Sequence, residues 1–327
     1  MQHPKIVVAT IIVNYATADV LLAHLDEIVG AHNGFEGWRI FIVDNASPND
    51  EYALLQQRLA SDQQYQNIEL IDAGANLGFA GANNIAYERA VRAGAEYVFF
   101  LNPDAYPDPQ SIRILYDFLK ATPEAAIAGA RLVDEAGQDA SCCFQFPTAW
   151  IELASEAQLR LIDRLALRKS VTAPLSHAPL KTDWVSGAAF MLRVSASPST
   201  LMDPGYFLYF EETDLMLRLH RQGWEAWHVP ASRIVHIGGV ATGVQHDGPA
   251  TRALPAYWFD SWRRYYHKNY GGLYAVFVGV AKFAGLLIYN AKVVLLRRKN
   301  GKPTGYTADV FSRCIIANFT DKTRTKT

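Results

Sequence analysis

The chain has 327 residues, 50% hydrophobic and 12% aromatic, which is ample for one large core or two coupled ones and excludes a disordered or fibrous polypeptide. With 31 Lys plus Arg against 32 Asp plus Glu, the formal charge is -1, so no global field attracts nucleic acid.

Lys5 to Asn14 is short and rich in Ile and Val, the pattern of a central strand. Asn14 ends its apolar run too soon for a secretory signal. Ala18 to Ala31 has helical spacing at Val20, Leu21, Leu25, Ile28 and Val29. Ile40 to Val43 predicts a second strand ending on Asp44-Asn45-Ala46-Ser47, and Ile68 to Ile71 a third, ending on Asp72 and the loop Ala73 to Gly78. Phe79 to Ala93 reads as a helix entered through glycines. Tyr97 to Leu101 is a strand buried on both faces, Pro109 to Thr122 a helix, and Ala126 to Leu132 a further strand. Strands alternating with helices predict an α/β fold around a mostly parallel, Rossmann-like sheet. Ligands of such sheets sit beyond the carboxyl ends of the strands. Asn14, Asp44 to Ser47 and Asn102 to Asp104 would line that edge, with Asn76 on a loop beside it.

Asn102-Pro103-Asp104 offers oxygen ligands for a hard cation shared with a diphosphate; its plainer reading is a turn after a strand. Asp44 suits a hydrogen bond from a uracil or thymine imide, or else an Asx-turn or helix cap, as does Ser47. Asn76 to Asn84, N-L-G-F-A-G-A-N-N, has glycines suited to close backbone approach before a helix N-terminus. No G-x-G-x-x-G follows the first strand and no G-K-[ST] follows a Gly-rich loop, which argues against dinucleotide enzymes and P-loop ATPases.

From Ser141 to Leu180 the pattern loosens into a variable insertion, in which Trp150 to Leu167 is compatible with an amphipathic helix ending in the basic Arg164, Arg168 and Lys169. The 3 cysteines, Cys142, Cys143 and Cys314, form neither a C-x-x-C pattern nor a disulfide framework and predict a reducing compartment. Asp183-Trp184-Val185-Ser186-Gly187-Ala188 is a polar and small cluster whose Gly187 and Ala188 would let a sugar approach the backbone. After the aromatics Tyr206 to Phe210 come Glu211, Glu212 and Asp214. Acids so crowded suit a general base, or alternatively cap the helix Glu212 to Gln222 that Gly223 closes. Trp224 to Pro230 predicts a short strand, and His236-Ile237-Gly238-Gly239 follows a further apolar step. His236 is a candidate metal ligand or a structural histidine.

Trp258 to Tyr270 interleaves aromatics with Arg263, Arg264, His267 and Lys268, and Leu273 to Leu296 is a long apolar stretch followed by Arg297, Arg298 and Lys299. An amphipathic helix lying in the headgroup region of a membrane fits best, ahead of a packed soluble helix or a span, since Lys282 sits in the middle.

Taken together, I-I-V-N-Y (Ile11 to Tyr15), V-D-N-A-S (Val43 to Ser47), N-L-G-F-A-G-A-N-N (Asn76 to Asn84), L-N-P-D (Leu101 to Asp104), W-V-S-G-A (Trp184 to Ala188), Y-F-E-E-T-D-L (Tyr209 to Leu215) and H-I-G-G (His236 to Gly239) resemble the inverting glycosyltransferases of family 2, most closely their bacterial rhamnosyltransferase-like branch. The resemblance implies a GT-A fold over 1–255, with a nucleotide-sugar-binding half at 1–135 and an acceptor-binding, catalytic half at 136–255, followed by a helical, membrane-associated region at 256–327. It implies that Asp44 binds the base and that Asp104 is the second acid of the family's Asp-x-Asp metal motif, whose first acid is here Asn102. The expected donor-binding set is Asn14, Asp44, Asn45, Asn76, Gly78, Asn83, Asn102 and Asp104. Trp184, Ser186 and Gly187 are expected to contact substrate, and Asp104 with His236 to hold Mg2+ or Mn2+. Glu211, then Glu212, is expected to be the base, with Asp214 as an orienting acid. The implied reaction moves a sugar, dTDP-rhamnose being the first donor considered, to a hydroxyl of a glycan or lipid-linked glycan at the cytoplasmic face of a membrane contacted through 258–299. A sugar-nucleotide nucleotidyltransferase would need a basic, Gly-rich triphosphate loop after the first strand. A silent nucleotide- or glycan-binding module would not need the three acids.

Overall fold

A computed structural model describes residues 6–158, 177–238 and 253–320. They fall into two compact units, the first drawn from Met1–Phe144, Pro174–Phe207 and Glu211–Gly243, the second from Gln145–Ala173, Leu208–Phe210 and Val244–Thr327.

The first unit is built on a mixed sheet. Its strands are β1 (Val8–Asn14), β2 (Trp38–Asp44), β3 (Ile68–Asp72), β4 (Tyr97–Leu101), β5 (Ala105–Pro107), β6 (Ala125–Val133), β8 (Leu180–Thr182), β10 (Ala189–Arg193) and β11 (Glu225–His236); β7 (Cys143–Phe144) and β9 (Trp184–Val185) pair separately. The order is β3-β2-β1-β4-β10-β6-β11-β5, with β8 beside β11. β1, β2, β3, β4, β6 and β11 share one direction, and β5, β8 and β10 oppose it. Every residue of β1 and β4 is buried, which explains why their sequences are apolar runs rather than alternations.

The antiparallel strands position the site. A strand that runs against its neighbours begins where they end. β10 pairs Ala189 with Leu101, and so delivers the Asp183 to Ala188 loop to the carboxyl end of β4. β5 does the same on the far side, pairing Ala105 with His236 at the end of β11.

Several elements depart from the sequence expectation. The helix expected over Ala18 to Ala31 is two, α1 (Ala18–Ala23) and α2 (Leu25–Gly30), parted at His24, whose ring stacks on Tyr106 with centroids 3.9 Å apart. A further helix, α3 (Glu51–Ala60), lies between β2 and β3. α4 (Gly78–Arg92) and α5 (Ser111–Ala121) follow the expected spans within two residues at each end. The strand expected to stop at Pro230 continues to His236, because the ladder absorbs the proline in a register shift between Val229 and Arg233.

The second unit is helical: α6 (Ala149–Ala157), then, beyond α7 (Glu211–Arg221) of the first unit, α8 (Ala256–Tyr270), α9 (Gly272–Leu295) and α10 (Tyr306–Phe311). α6 covers only the start of the expected Trp150 to Leu167 helix, because Gln158 ends it in a left-handed conformation, φ 48°; Arg164, Arg168 and Lys169 lie outside the described residues, as does Gly239. α9 presses against α6 so closely that a Cβ on Gly285 would stand 2.3 Å from the Leu153 carbonyl oxygen. The Lys282 ammonium is buried between Glu152 and Glu156, at 2.9 and 2.7 Å.

Candidate active site

Three parallel strands end in register, with Asn14 beside Asp44 and Asp44 beside Asp72. Asn14 and Asp44 are buried and mutually ordered. The Asn14 amide donates to Asp44 Oδ1 at 3.0 Å, Ser47 Oγ at 3.0 Å and Glu51 Oε2 at 2.9 Å, while the Ser47 N–H donates to Asp44 Oδ2 at 3.1 Å. Asp44 thus ties down the backbone three residues on, and its own orientation is fixed from two sides. Glu51 carries no motif, yet its Oε2 also accepts the N–H groups of Thr17 and Ala18, at 3.1 and 3.2 Å. It supplies the cap that Thr17 does not give α1, a contact across 33 residues that no local pattern announces.

Asn45 clamps the next loop. Its Oδ1 accepts the Leu77 N–H at 2.9 Å, and its amide donates to Asn76 Oδ1 at 3.1 Å. Gly78 has φ +70°, and a Cβ there would lie 2.2 Å from the Phe207 carbonyl oxygen, which accepts the Phe79 N–H at 2.8 Å. The space that the glycine leaves is therefore filled by backbone. Asn83 is buried and turned into its own helix, donating to the Phe79 carbonyl at 2.9 Å. The neighbouring Asn84 makes the long-range contact instead, donating to Met202 O at 2.7 Å and accepting the Met202 N–H at 3.0 Å. Of the adjacent asparagines in the motif, spacing alone gave no reason to separate the two.

The second cluster gathers Asn102, Asp104 and His236, which are 134 residues apart at the extremes. His236 Nε2 is 3.3 Å from Asp104 Oδ1 and 3.4 Å from the Asn102 amide. The turn that sequence allowed after β4 is real, and it reverses the chain into β5. That reversal sets Asp104 against His236 while the Ile237 N–H holds the Asp104 carbonyl at 3.0 Å. A carboxylate oxygen and an imidazole nitrogen this close fit a pair of adjacent ligands on one hard cation, whose remaining positions substrate phosphates and water can fill. Of the two cations expected, Mn2+ suits this mixed oxygen and nitrogen donor set better than Mg2+, which prefers oxygen ligands alone.

The third cluster starts α7. Tyr209 and Phe210 have φ of 72° and 69°, a conformation costly for bulky residues. Glu211 follows, 3% exposed, with Oε2 lacking a hydrogen-bond partner. Burial first, and the Glu212 charge second, push its carboxyl well above the ordinary range. Glu212 is half-buried, and burial raises it too, while backbone N–H groups of Glu212, Gly187 and Thr213 pull it back. The charge on Glu212 thus bears directly on the carboxyl of Glu211. Asp214 is a different kind of acid: fully buried, it accepts Arg218 Nε at 3.0 Å and the Tyr206 hydroxyl at 3.3 Å. Those bonds anchor the helix.

The second and third clusters meet at Gly187-Ala188. Ala188 O accepts the Asn102 N–H at 2.9 Å, and a Cβ on Gly187 would lie 3.5 Å from the Glu212 carboxyl carbon. Trp184 stacks on Phe144 with centroids 4.2 Å apart, and Ser186 Oγ accepts the Ala188 N–H at 3.3 Å. Behind this loop Cys142, Cys143 and His228 bring ligand atoms within 4.8 Å of one another, a grouping that the cysteine spacing did not suggest.

Residues 9–140 match the model of glycosyl transferase family 2. They form a family 2 glycosyl transferase domain. The chain is 33% identical over 198 residues to the N-acetylglucosaminyl-diphospho-decaprenol L-rhamnosyltransferase of Mycobacterium tuberculosis, covering 56% of this chain and 63% of that protein. It is 25% identical over 223 residues to the rhamnosyltransferase WbbL of Escherichia coli K12, covering 64% of this chain and 82% of that one. The chain thus spans less than two thirds of the length of the mycobacterial relative. A crystal structure of GalNAc-T7 with UDP, GalNAc and Mn2+ superposes with a TM-score of 0.49 at 14% identity, over 72% of this chain and 44% of that chain.

Proposed function

We propose that this protein is an inverting glycosyltransferase that moves a sugar, rhamnose from dTDP-rhamnose in the first instance, to a hydroxyl of a glycan or lipid-linked glycan. The observation that carries this reading is the meeting of two chemistries at Gly187-Ala188: a carboxylate-imidazole pair on one side and the adjacent glutamates Glu211 and Glu212 on the other. The names of the relatives supply the sugar and the lipid-linked acceptor class.

Asp44, fixed by Asn14 and the Ser47 N–H, reads the base of the nucleotide. Asn45 and Asn76 hold the loop beside it. Glu212 is the better base of the pair, because it is half-buried as a residue and lies over Gly187, whereas Glu211 is 3% exposed and burial with the Glu212 charge raises its carboxyl. With its proton affinity raised, Glu212 takes the acceptor hydroxyl proton, and the oxygen attacks the anomeric carbon as the nucleoside diphosphate departs from the opposite face. Asp104 and His236 would hold a divalent cation, which supplies neutralisation of charge on the leaving diphosphate. Trp184 and Ser186 border the acceptor side. Action on a lipid-linked acceptor puts the protein on the cytoplasmic face of a membrane, met through 258–299.

The test is transfer from dTDP-rhamnose to a lipid-diphosphate-linked amino sugar, with and without Mn2+. Asp104→Ala and Glu212→Gln should each reduce kcat by about 10²-fold or more with the far-UV spectrum unchanged. Full turnover in both variants would remove the assignment.

A further inference from the structure

The helix α9 has its polarity reversed relative to a surface helix of a soluble protein. Its inward face, marked by Ala275, Val278, Lys282, Leu286 and Tyr289, is buried and carries the charge. Its outward face is apolar throughout: Leu273 is 91% exposed, Phe277 60%, Val280 47%, Leu287 49%, Val294 75% and Leu295 80%. Leu273, Phe277, Val280, Leu287 and Val294 recur at three-, four- and seven-residue steps, so they form one stripe, which Leu295 widens at its end, along a rod about 36 Å long. A continuous apolar stripe of this kind marks an interaction surface rather than a solvated one.

Charge decides the occupant. Residues 271–300 contain no Asp or Glu, and the exposed Arg297, Arg298 and Lys299 stand directly beyond the stripe, while Arg264 and Lys268 are exposed on α8 just before it. An apolar stripe with cations at both ends matches acyl chains beneath anionic headgroups. By length and composition the helix could cross a bilayer, but its inward face is tied to α6 by the Lys282 ion pairs with Glu152 and Glu156. A span would carry α6 and both carboxylates into hydrocarbon.

We propose that the outward face of α9, from Leu273 to Leu295, lies flat in the interfacial layer of an anionic phospholipid bilayer, with Arg297, Arg298 and Lys299 on the headgroups. This deepens the membrane-surface part of the proposed function and rests on that reading only for the biological location. Vesicle binding needs no catalysis, so the two can fail separately.

The experiment is co-sedimentation of the full chain with sucrose-loaded vesicles of phosphatidylcholine alone and of phosphatidylcholine with phosphatidylglycerol. The wild-type protein should pellet with the anionic vesicles, be released by alkaline carbonate, and bind more weakly as salt rises. Phe277→Glu/Leu287→Glu should weaken binding by at least about a hundredfold, since each buried side chain of this size contributes about tenfold or more. Should that variant not fold, Arg297→Glu/Arg298→Glu/Lys299→Glu, which touches only exposed positions, should weaken binding by at least about fivefold per residue. Equal partitioning of either folded variant and wild type overturns the proposal. So does resistance to carbonate, which means a span, and so does a wild-type dimer that Phe277→Glu/Leu287→Glu converts to a monomer while vesicle binding is absent, which means a second copy covers the face.

Discussion

Replacing Lys282 by Met tests the packing of the second unit. Lys282 is 4% exposed and donates to Glu152 Oε2 at 2.9 Å and Glu156 Oε1 at 2.7 Å. Glu152 also accepts Trp262 Nε1 at 2.8 Å and the Tyr266 hydroxyl at 3.0 Å; Glu156 accepts Lys302 Nζ at 2.6 Å and the Tyr306 hydroxyl at 2.7 Å. Without Lys282, two buried carboxylates keep their neutral donors and one cation between them. Removing one partner of a buried ion pair costs about 3–5 kcal/mol, because the charge left behind is not solvated. Burial alone would raise Glu156, but Lys282 and then Lys302 outweigh it and hold its carboxyl at about 2, below the ordinary 4.5. A depressed carboxyl stabilises the fold above 4.5 and loses that contribution as pH falls toward its folded value. Lys282 is itself held above 10.5, the Glu152, Tyr306 and Glu156 charges overcoming burial, so its contribution persists up to alkaline pH. The deficit of Lys282→Met should therefore be full at neutral pH and shrink below 4.5. Urea unfolding followed by tryptophan fluorescence reads it, with the buried Trp262 as a reporter inside the network. Lys282→Met/Glu152→Gln/Glu156→Gln should recover most of the loss. A deficit below about 1 kcal/mol at neutral pH, the value of an exposed pair, or one unchanged near pH ~3, would refute the reasoning.

Other outcomes follow from the first unit. Glu211 has a raised carboxyl, so the wild-type fold loses stability as pH climbs from 4.5 through the folded value. Glu211→Gln should melt with wild type at acidic pH and above it at neutral to alkaline pH, and a constant difference across a pH series of thermal melts would argue against burial as the cause. Gly78→Ala places a Cβ 2.2 Å from the Phe207 carbonyl at φ +70°, where backbone must move. It should lower stability by at least about 2 kcal/mol, and an unchanged urea midpoint would contradict the contact. Asn84→Ala strands both polar groups of Met202 and should cost about 1–3 kcal/mol, with the Met202 amide losing protection in hydrogen exchange; retained protection would count against the latch.

The strand ends could be read in the sequence because each coincides with a change from apolar run to polar cluster. Asn14, Asp44 and Asn102 to Asp104 sit where that rule puts them. What stayed hidden depends on partners distant in the chain. The antiparallel course of β10 is invisible in its own five residues, yet it carries Gly187 to the end of β4. The cap from Glu51 and the latch from Asn84 bridge 33 and 118 residues. Asp214 looked like a member of an acidic trio, but one turn of helix points it at Arg218 and into the core while Glu212 faces Gly187. Residues adjacent in sequence diverge in role when the helix rotates them apart.

The same geometry explains why the apolar stretch near the C-terminus misleads when read as hydropathy. In a sequence, Lys282 marks the face that a helix would turn toward water or headgroups. The fold inverts this, because α6 offers Glu152 and Glu156 one helical turn apart, so that a single ammonium satisfies both and the charged side becomes the inside. Once Lys282 is taken up there, the helix has no polar face left to turn outward. Leu273, Phe277, Val280 and Leu287 must then meet something other than water, and an ion pair within the protein thereby dictates the chemistry of the surface opposite it.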